Sequence, residues 1–292
     1  MSDDAVRAVV NHRLVDDVMR SCLLAEHAGT MQSPPRLRID VNAGLVISAG
    51  GLVGGAKGFR AYGLWDGADE QVVVVWGADG RLTGVVLGSA LGAYRTGALG
   101  GVAVDVLAHK DADTVAVLGS GRQAWSQLWA CSHVRKLSRV TVTSPTNSHA
   151  QAFADRARVE LGVPVIIEPD ARAAVAAAAI VLVATNSRVP VIECDWLAPG
   201  SHVSSVGPKS RGASEMPAAI GERADVIVSD SPATIDAAQY FTQRPMLSLG
   251  SILAGDVDGR VSSDQVTLYC SQGLTGSEVM LAAHLLAIPR SK

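Results

Sequence analysis

Thr114-Val115-Ala116-Val117-Leu118-Gly119-Ser120-Gly121-Arg122-Gln123-Ala124 is an apolar run that turns through glycine into Trp125-Ser126-Gln127-Leu128-Trp129-Ala130. A second apolar run, Val140-Thr141-Val142-Thr143, follows. The order strand, glycine turn, helix, strand is the opening unit of a dinucleotide-binding fold. Gly119 makes the tight turn, Gly121 admits a pyrophosphate, and Ala124 is small enough for helix to pack on strand. The free N–H groups of the helix start then face the phosphates. Glycine triplets alone are weak evidence; the strand before this one and the unit after it give it weight.

The same stretch bears on which nucleotide binds. An NAD site places Asp or Glu at the end of the second strand, where it accepts the ribose 2′-hydroxyl. Between Asp113 and Asp155 there is no acid. The strand runs instead into Ser144-Pro145-Thr146-Asn147-Ser148, neutral and rich in hydroxyl and amide groups. Without an acid to repel a 2′-phosphate, NADP(H) is favoured over NAD(H). Arg122 and Arg139 are the cations within reach along the chain.

Outward from this unit, the chain continues as alternating elements. A helix is expected at 147–161, a strand at Val163–Ile167, a helix at 171–179 and a strand at Ile180–Ala184. Val203–Val206 and Val226–Ser229 read as further strands, so the sheet is parallel and doubly wound. Ala184-Thr185-Asn186-Ser187 falls at a strand's carboxyl end, where such sheets bind ligand.

Before the unit, residues 4–28 read as helix in one or two pieces, with apolar positions at Val6, Val10, Leu14, Val18 and Cys22. Arg36–Val41 alternates like a strand. Gly50–Gly58 resembles a P-loop on the surface, but Gly58 follows Lys57 where Ser or Thr must ligate magnesium, and that reading fails. Val72–Trp76 and Leu82–Leu87 flank an Asp-Gly turn and form a hairpin. Ser89–Ala108 is a helix of small residues that carries Arg95 and Thr96. The segment from Gln265 to Ile288 includes a helix and is expected to return to the first domain.

A chain of 292 residues with 48% apolar and 18% charged residues is globular and long enough for two domains. A net charge of −3 gives no sign of nucleic-acid or membrane partners. Cys22, Cys131, Cys194 and Cys270 are far apart, as expected of buried free thiols in a reducing compartment. No signal peptide or apolar span is visible, so a cytoplasmic location is expected. The scattered histidines suggest no metal site, and no GxSxG elbow points to serine hydrolysis.

Arg36, Lys57 and Arg95 precede the nucleotide-binding stretch in separate elements. Converging, they clamp a carboxylate; apart, each makes a structural ion pair. Lys57, set among glycines and aliphatics, is also a candidate for passing a proton. Lys209, in Gly207-Pro208-Lys209-Ser210-Arg211, is a solvated loop lysine or a functional one.

Together these residues resemble the ornithine cyclodeaminase/mu-crystallin family over nearly the whole chain. The matching pieces are Pro34-Pro35-Arg36, Lys57, Asp79 to Gly84, Tyr94-Arg95-Thr96-Gly97-Ala98 and Gly119 to Ala124. Ala184 to Ser187 with Pro190, Asp230-Ser231 and Ser271-Gln272-Gly273-Leu274 complete them. The resemblance implies a Rossmann-type α/β domain at 109–264. It also implies a second α/β domain, for substrate binding and dimerisation, made of 1–108 and 265–292. It implies a homodimer and an NAD(P)(H)-dependent enzyme acting on amino acids or their cyclic imines. Arg36, Lys57 and Arg95, with Thr96 and Lys209 beside them, are then the substrate residues, Lys57 and Arg95 the catalytic ones. Gly119, Ser120, Gly121, Arg122, Gln123, Ser144, Thr146, Thr185, Asn186, Ser187, Ser271 and Gly273 hold the nucleotide.

The departures narrow the activity. In cyclodeaminases an Asp handles the substrate amine; ungapped alignment of Val206-Gly207 through Glu215-Met216 puts Lys209 there, and lysine repels an ammonium. Gly92 replaces a usual Thr, and Glu278 stands where Asp is common. The expected activity is reduction of a small cyclic or acyclic imino acid, of the Δ1-pyrroline-2-carboxylate type. The alternatives are an ornithine cyclodeaminase or amino-acid dehydrogenase, and a non-catalytic NADP-binding protein like mu-crystallin.

Overall fold

Helices α1 (Asp3–Val9) and α2 (His12–His27) open the chain, each started by a side-chain cap, from Ser2 and Asn11. An amide at Leu14 that would lack a partner thus finds the Asn11 carboxamide oxygen. The structure, a computed structural model, describes residues 1–289 apart from 42, 66–69, 237 and 239. The last three residues expected in the first domain, 290–292, therefore lie outside the described residues.

Strands β1 (Met31–Gln32), β2 (Leu37–Val41), β3 (Ala43–Leu52), β4 (Lys57–Gly63), β5 (Gln71–Trp76) and β6 (Leu82–Leu87) form one antiparallel sheet. Its order is β1-β3-β4-β5-β6, with β2 also on β3. The glycine-rich stretch 50–58 is thus the end of β3, a tight connection and the start of β4, not a phosphate loop.

Helix α3 (Ala90–Leu107) leads on to β7 (Thr114–Leu118), α4 (Arg122–Val134), β8 (Arg139–Thr143), α5 (Asn147–Leu161), β9 (Val165–Ile167), α6 (Ala171–Ala176) and β10 (Ile180–Val183). Next come β11 (His202–Ser205), a small hairpin of β12 (Lys209–Ser210) and β13 (Ala213–Ser214), α7 (Ile220–Arg223), β14 (Val226–Ser229), β15 (Leu247–Ser248) and α8 (Leu249–Ala254). β16 (Thr267–Cys270) and α9 (Ser277–Leu286) close the chain.

The second sheet has the order β15-β14-β16-β11-β10-β7-β8-β9, and its pairs are parallel. Apolar side chains bury both of its faces. Val115, Val117, Ile180 and Leu182 meet α4 and α5 on one; Ala116, Leu118, Val181 and Val183 meet α6, Ile220 and Phe241 on the other. That is the Rossmann-type α/β sheet expected of the alternating pattern.

The chain divides into two units, Met1–Arg95 with Gly273–Lys292, and Thr96–Gln272. The divisions differ from residues 108 and 264. One falls inside α3, whose later residue Val104, with Ala108 just past the helix, belongs to the core of the parallel sheet. The other follows β16, which inserts between β14 and β11 and has all four residues buried. A four-residue apolar run carries no period by which a sheet strand can be assigned.

In the first unit, strand alternation separates two faces. Val46, Ser48, Val73, Val75 and Val86 are buried on the face carrying Arg60, which reaches Glu278 of α9. The opposite face carries Lys57, Phe59, Val74 and Trp76, with Leu37, Ile39 and Leu87 exposed at 58%, 40% and 57%. Phe59 and Trp76 pack their rings 6.0 Å apart there. Among the described residues no helix is long and apolar enough to cross a membrane.

Candidate functional site

In the Thr96–Gln272 unit, β7 ends at Gly119, whose φ of 107° lies in the left-handed region. A Cβ there would stand 2.4 Å from the carbonyl oxygen of Ala184 at the end of β10, so only glycine lets the two strand ends approach. Its amide donates to the Thr143 carbonyl at 2.9 Å and ties β7 to β8. Gly121 then caps α4 without a side chain. The start of a 13-residue helix without a side-chain cap favours an anion.

A cleft of about 920 Å³ opens at this point. Gly119 to Gln123, Ser144, Thr146 and Thr185 to Ser187 all line it, joined by Thr143, Pro145 and His149. Among the described residues the lining includes Arg122 and His149 but no carboxylate. Ser120 and Ser144 share a hydrogen bond of 2.9 Å across the β7 and β8 ends. Ser271, just past β16, is buried outside the lining, and Gly273 lies in the other unit.

The Thr185 wall is held by a residue that the sequence did not single out for a role. Glu215 is fully buried. It accepts from the Thr185 amide at 2.8 Å and hydroxyl at 2.9 Å, from Ser205 at 2.8 Å, and from the amides of Val206 and Gly207 at 3.1 and 2.6 Å. One carboxylate thus fastens the loops after β10 and β11, its charge compensated by donors rather than by water.

Lys209 is not a solvated loop lysine. It is 8% exposed and donates to the Gly207 carbonyl at 2.6 Å. Burial pulls its ammonium below the usual lysine range against the opposing pull of Glu215, Cys270 and Asp230. It does not line the nucleotide cleft. Thr96 is buried on α3, and its carbonyl accepts from Gln127 at 3.0 Å.

The other unit gathers the arginines. Arg36 donates to the Gly273 carbonyl at 2.9 Å. A Cβ on Gly273 would lie 2.7 Å from both Arg36 Nη2 and Arg95 Nη1, so the two guanidinium groups meet over that glycine. Arg95 is 3% exposed and pairs through Nη2 with Oε1 of Glu278, itself 2% exposed. Arg60 Nη1 donates to the same oxygen at 2.7 Å.

Arg60 passed unnoticed in the sequence, although a charge in the middle of a strand, Lys57–Gly63, was the available signal. Lys57 does not join this group: it is exposed at the start of β4 and alternates onto the opposite face. Burial alone would raise the Glu278 carboxyl. Arg95, Arg60 and Arg36, with a backbone hydrogen bond, overcome it and hold the carboxyl at about 2. The Nε–H of Arg95 is buried without a hydrogen-bond partner. A donor left in that state costs about 1–3 kcal/mol, and an anion beside Arg95 relieves it.

Cys22, Cys131 and Cys270 are buried free thiols, while Cys194 is partly exposed. Among the described residues no group of three or more His, Cys, Asp or Glu is placed to hold a metal ion.

A parallel Rossmann-type sheet with an uncapped helix start at the end of its first strand defines a dinucleotide-binding class. The chain belongs to the ornithine cyclodeaminase/mu-crystallin family, whose model matches residues 68–286. It is 32% identical over 210 residues to a Delta(1)-pyrroline-2-carboxylate reductase of Bacillus cereus, a match covering 68% of this chain and 64% of that one. It is 34% identical over 179 residues to an L-lysine cyclodeaminase of Streptomyces rapamycinicus, covering 60% of this chain and 51% of that one. Matches of this kind thus span under two thirds of those relatives' length.

Among solved structures, Thermococcus litoralis Delta(1)-pyrroline-2-carboxylate reductase, in complex with NADH and L-proline, superposes with a TM-score of 0.88. The two chains are 25% identical, with 98% of this chain and 95% of that one covered.

The Glu278 shift predicts a pH dependence of stability. Because its folded pKa is depressed, its contribution is present above the ordinary glutamate value of 4.5 and is lost as pH falls towards about 2. Urea titrations should show wild-type stability falling across that window, and Glu278→Gln should flatten that part of the profile. Parallel profiles for the two proteins would contradict the assignment.

Proposed function

We propose that this protein is an NAD(P)H-dependent reductase of a small imino acid, of the Δ1-pyrroline-2-carboxylate type. The observation that carries the reading is the meeting of Arg36 and Arg95 over Gly273, with the Arg95 Nε–H buried and lacking an acceptor. A planar carboxylate is the anion that suits such a fork. The relatives named for this reaction support the choice.

Residues of the cleft fit the cofactor: the uncapped α4 start suits a pyrophosphate, and Gly119 allows close approach. The nicotinamide, when bound, supplies a hydride. Arg36 and Arg95 hold the substrate carboxylate and so orient the C=N bond. As the imine carbon is reduced, the π pair moves to nitrogen, which takes one proton from water, since Lys57 lies on the sheet face opposite Arg60. Catalysis in this reading is largely positioning.

NADPH is the preferred reductant in the proposal. Among the described residues the cleft lining carries Arg122 and His149 and no carboxylate, so a 2′-phosphate meets no like charge. Lys209 argues against ornithine cyclodeamination: it is a buried cation in the loop after β11 and offers nothing to accept a substrate ammonium. We further propose a homodimer through the sheet face bearing Leu37, Ile39, Phe59, Trp76 and Leu87. That face joins partly covered apolar residues to exposed ones, as dimer surfaces do.

The site assignment is tested by steady-state oxidation of NADPH and NADH with Δ1-pyrroline-2-carboxylate. Arg95→Ala should lower kcat/KM roughly 100-fold, about 3 kcal/mol, chiefly through KM. Lys57→Ala should leave kcat and KM near wild type, since its side chain lies on the sheet face opposite the arginine group. An equal rise of KM in both variants would put Lys57 in the clamp. For the dimer, Leu37→Glu with Leu87→Glu should sediment as monomer where the wild type sediments as dimer. Unchanged sedimentation would contradict the proposed face.

A further inference from the structure

Arg95 has a long side chain with several rotatable bonds, and a clamp needs it in one place. Fixing such a side chain costs conformational entropy unless other contacts hold it. The contacts around Arg95 form a chain with a definite order. Arg60 is fixed first: its Nε and Nη2 donate to the Gln71 carboxamide oxygen at 2.9 and 2.6 Å. Its guanidinium carbon also stands 4.3 Å from the centroid of the Tyr62 ring. Its remaining arm, Nη1, holds Glu278 Oε1 at 2.7 Å. That same oxygen takes Nη2 of Arg95. Arg95 is thereby tied through Nη2, while Nη1 lies against Gly273 and Nε has no hydrogen-bond partner.

Resting on the reductase reading, we propose that Arg60 and Glu278 are a positioning pair that presents the Arg95 guanidinium to the substrate carboxylate. Neither need touch the substrate; they act through Arg95. A competing role for Glu278 has the opposite signature. As an internal carboxylate occupying the arginines, Glu278 would oppose substrate binding, and displacing it from Arg95 would tighten binding. As a positioning group, its geometry matters: Asp keeps the charge and loses the reach of one methylene, and binding weakens.

The test compares Glu278→Asp, Arg60→Lys and the double variant with wild type, all charge-conserving. The readouts are KM and kcat for Δ1-pyrroline-2-carboxylate, the calorimetric Kd for L-proline, the Kd for NADPH, and Tm. Each single variant should raise KM about ten-fold, with kcat and the NADPH Kd unchanged. The double variant should be no worse than the worse single, because both changes break one chain. A KM that stays or falls in the single variants overturns the proposal. So does a loss of activity and of NADPH binding together in step with Tm, which marks a purely structural role. If Glu278→Asp does not fold, Arg60→Lys carries the test alone. A wild type that neither reduces the imine nor binds L-proline overturns the reductase reading and the proposal with it. Normal L-proline binding in both single variants overturns the positioning pair and leaves the reading standing.

Discussion

Two guanidinium groups, those of Arg60 and Arg95, cannot share a protein interior without an anion, and the first unit is arranged around that constraint. Burying an unpaired cation costs several kcal/mol, and paired charges recover this only where geometry and further hydrogen bonds are good. Glu278 meets both conditions, with two arginines on one oxygen. The arrangement draws on distant parts of the chain: Arg36 before β2, Arg60 on β4, Arg95 on α3 and Glu278 on α9. It therefore ties the last helix to the N-terminal sheet. The unit made from both chain ends contains all four of these residues.

The nucleotide unit uses the same economy with the opposite sign. There a single buried carboxylate, Glu215, collects hydroxyl and amide donors from two loops. The cleft wall at Thr185 is therefore fixed by an acid that never enters the cleft. Among the described residues the lining itself carries no carboxylate, so no like charge faces a bound phosphate. A cation in the interior, Lys209, lies beside the same acid.

The nucleotide-binding half was legible because its signals are local. Glycines at fixed offsets, a strand on either side and a missing acid all fall within Thr114–Thr146. Apart from Ser271 and Gly273, the residues expected to hold the nucleotide line one cleft. The first unit was less legible because its signals depend on register. Whether Lys57 or Arg60 faces the helices turns on a one-residue alternation, which the sequence alone leaves open. The strand β3 was hidden by its glycines, and β16 by its shortness. Arg60, Glu215 and the role of Glu278 are properties of long-range pairing, and no spacing announces them.

Imino-acid reduction is the activity proposed for this chain. The most direct measurement is the stoichiometry of the wild-type reaction with NADPH and Δ1-pyrroline-2-carboxylate, read as cofactor oxidised against proline formed. The account predicts one for one, with faster turnover on NADPH than on NADH. Ammonia release from ornithine with catalytic NAD, and no cofactor consumed by the imine, would contradict it.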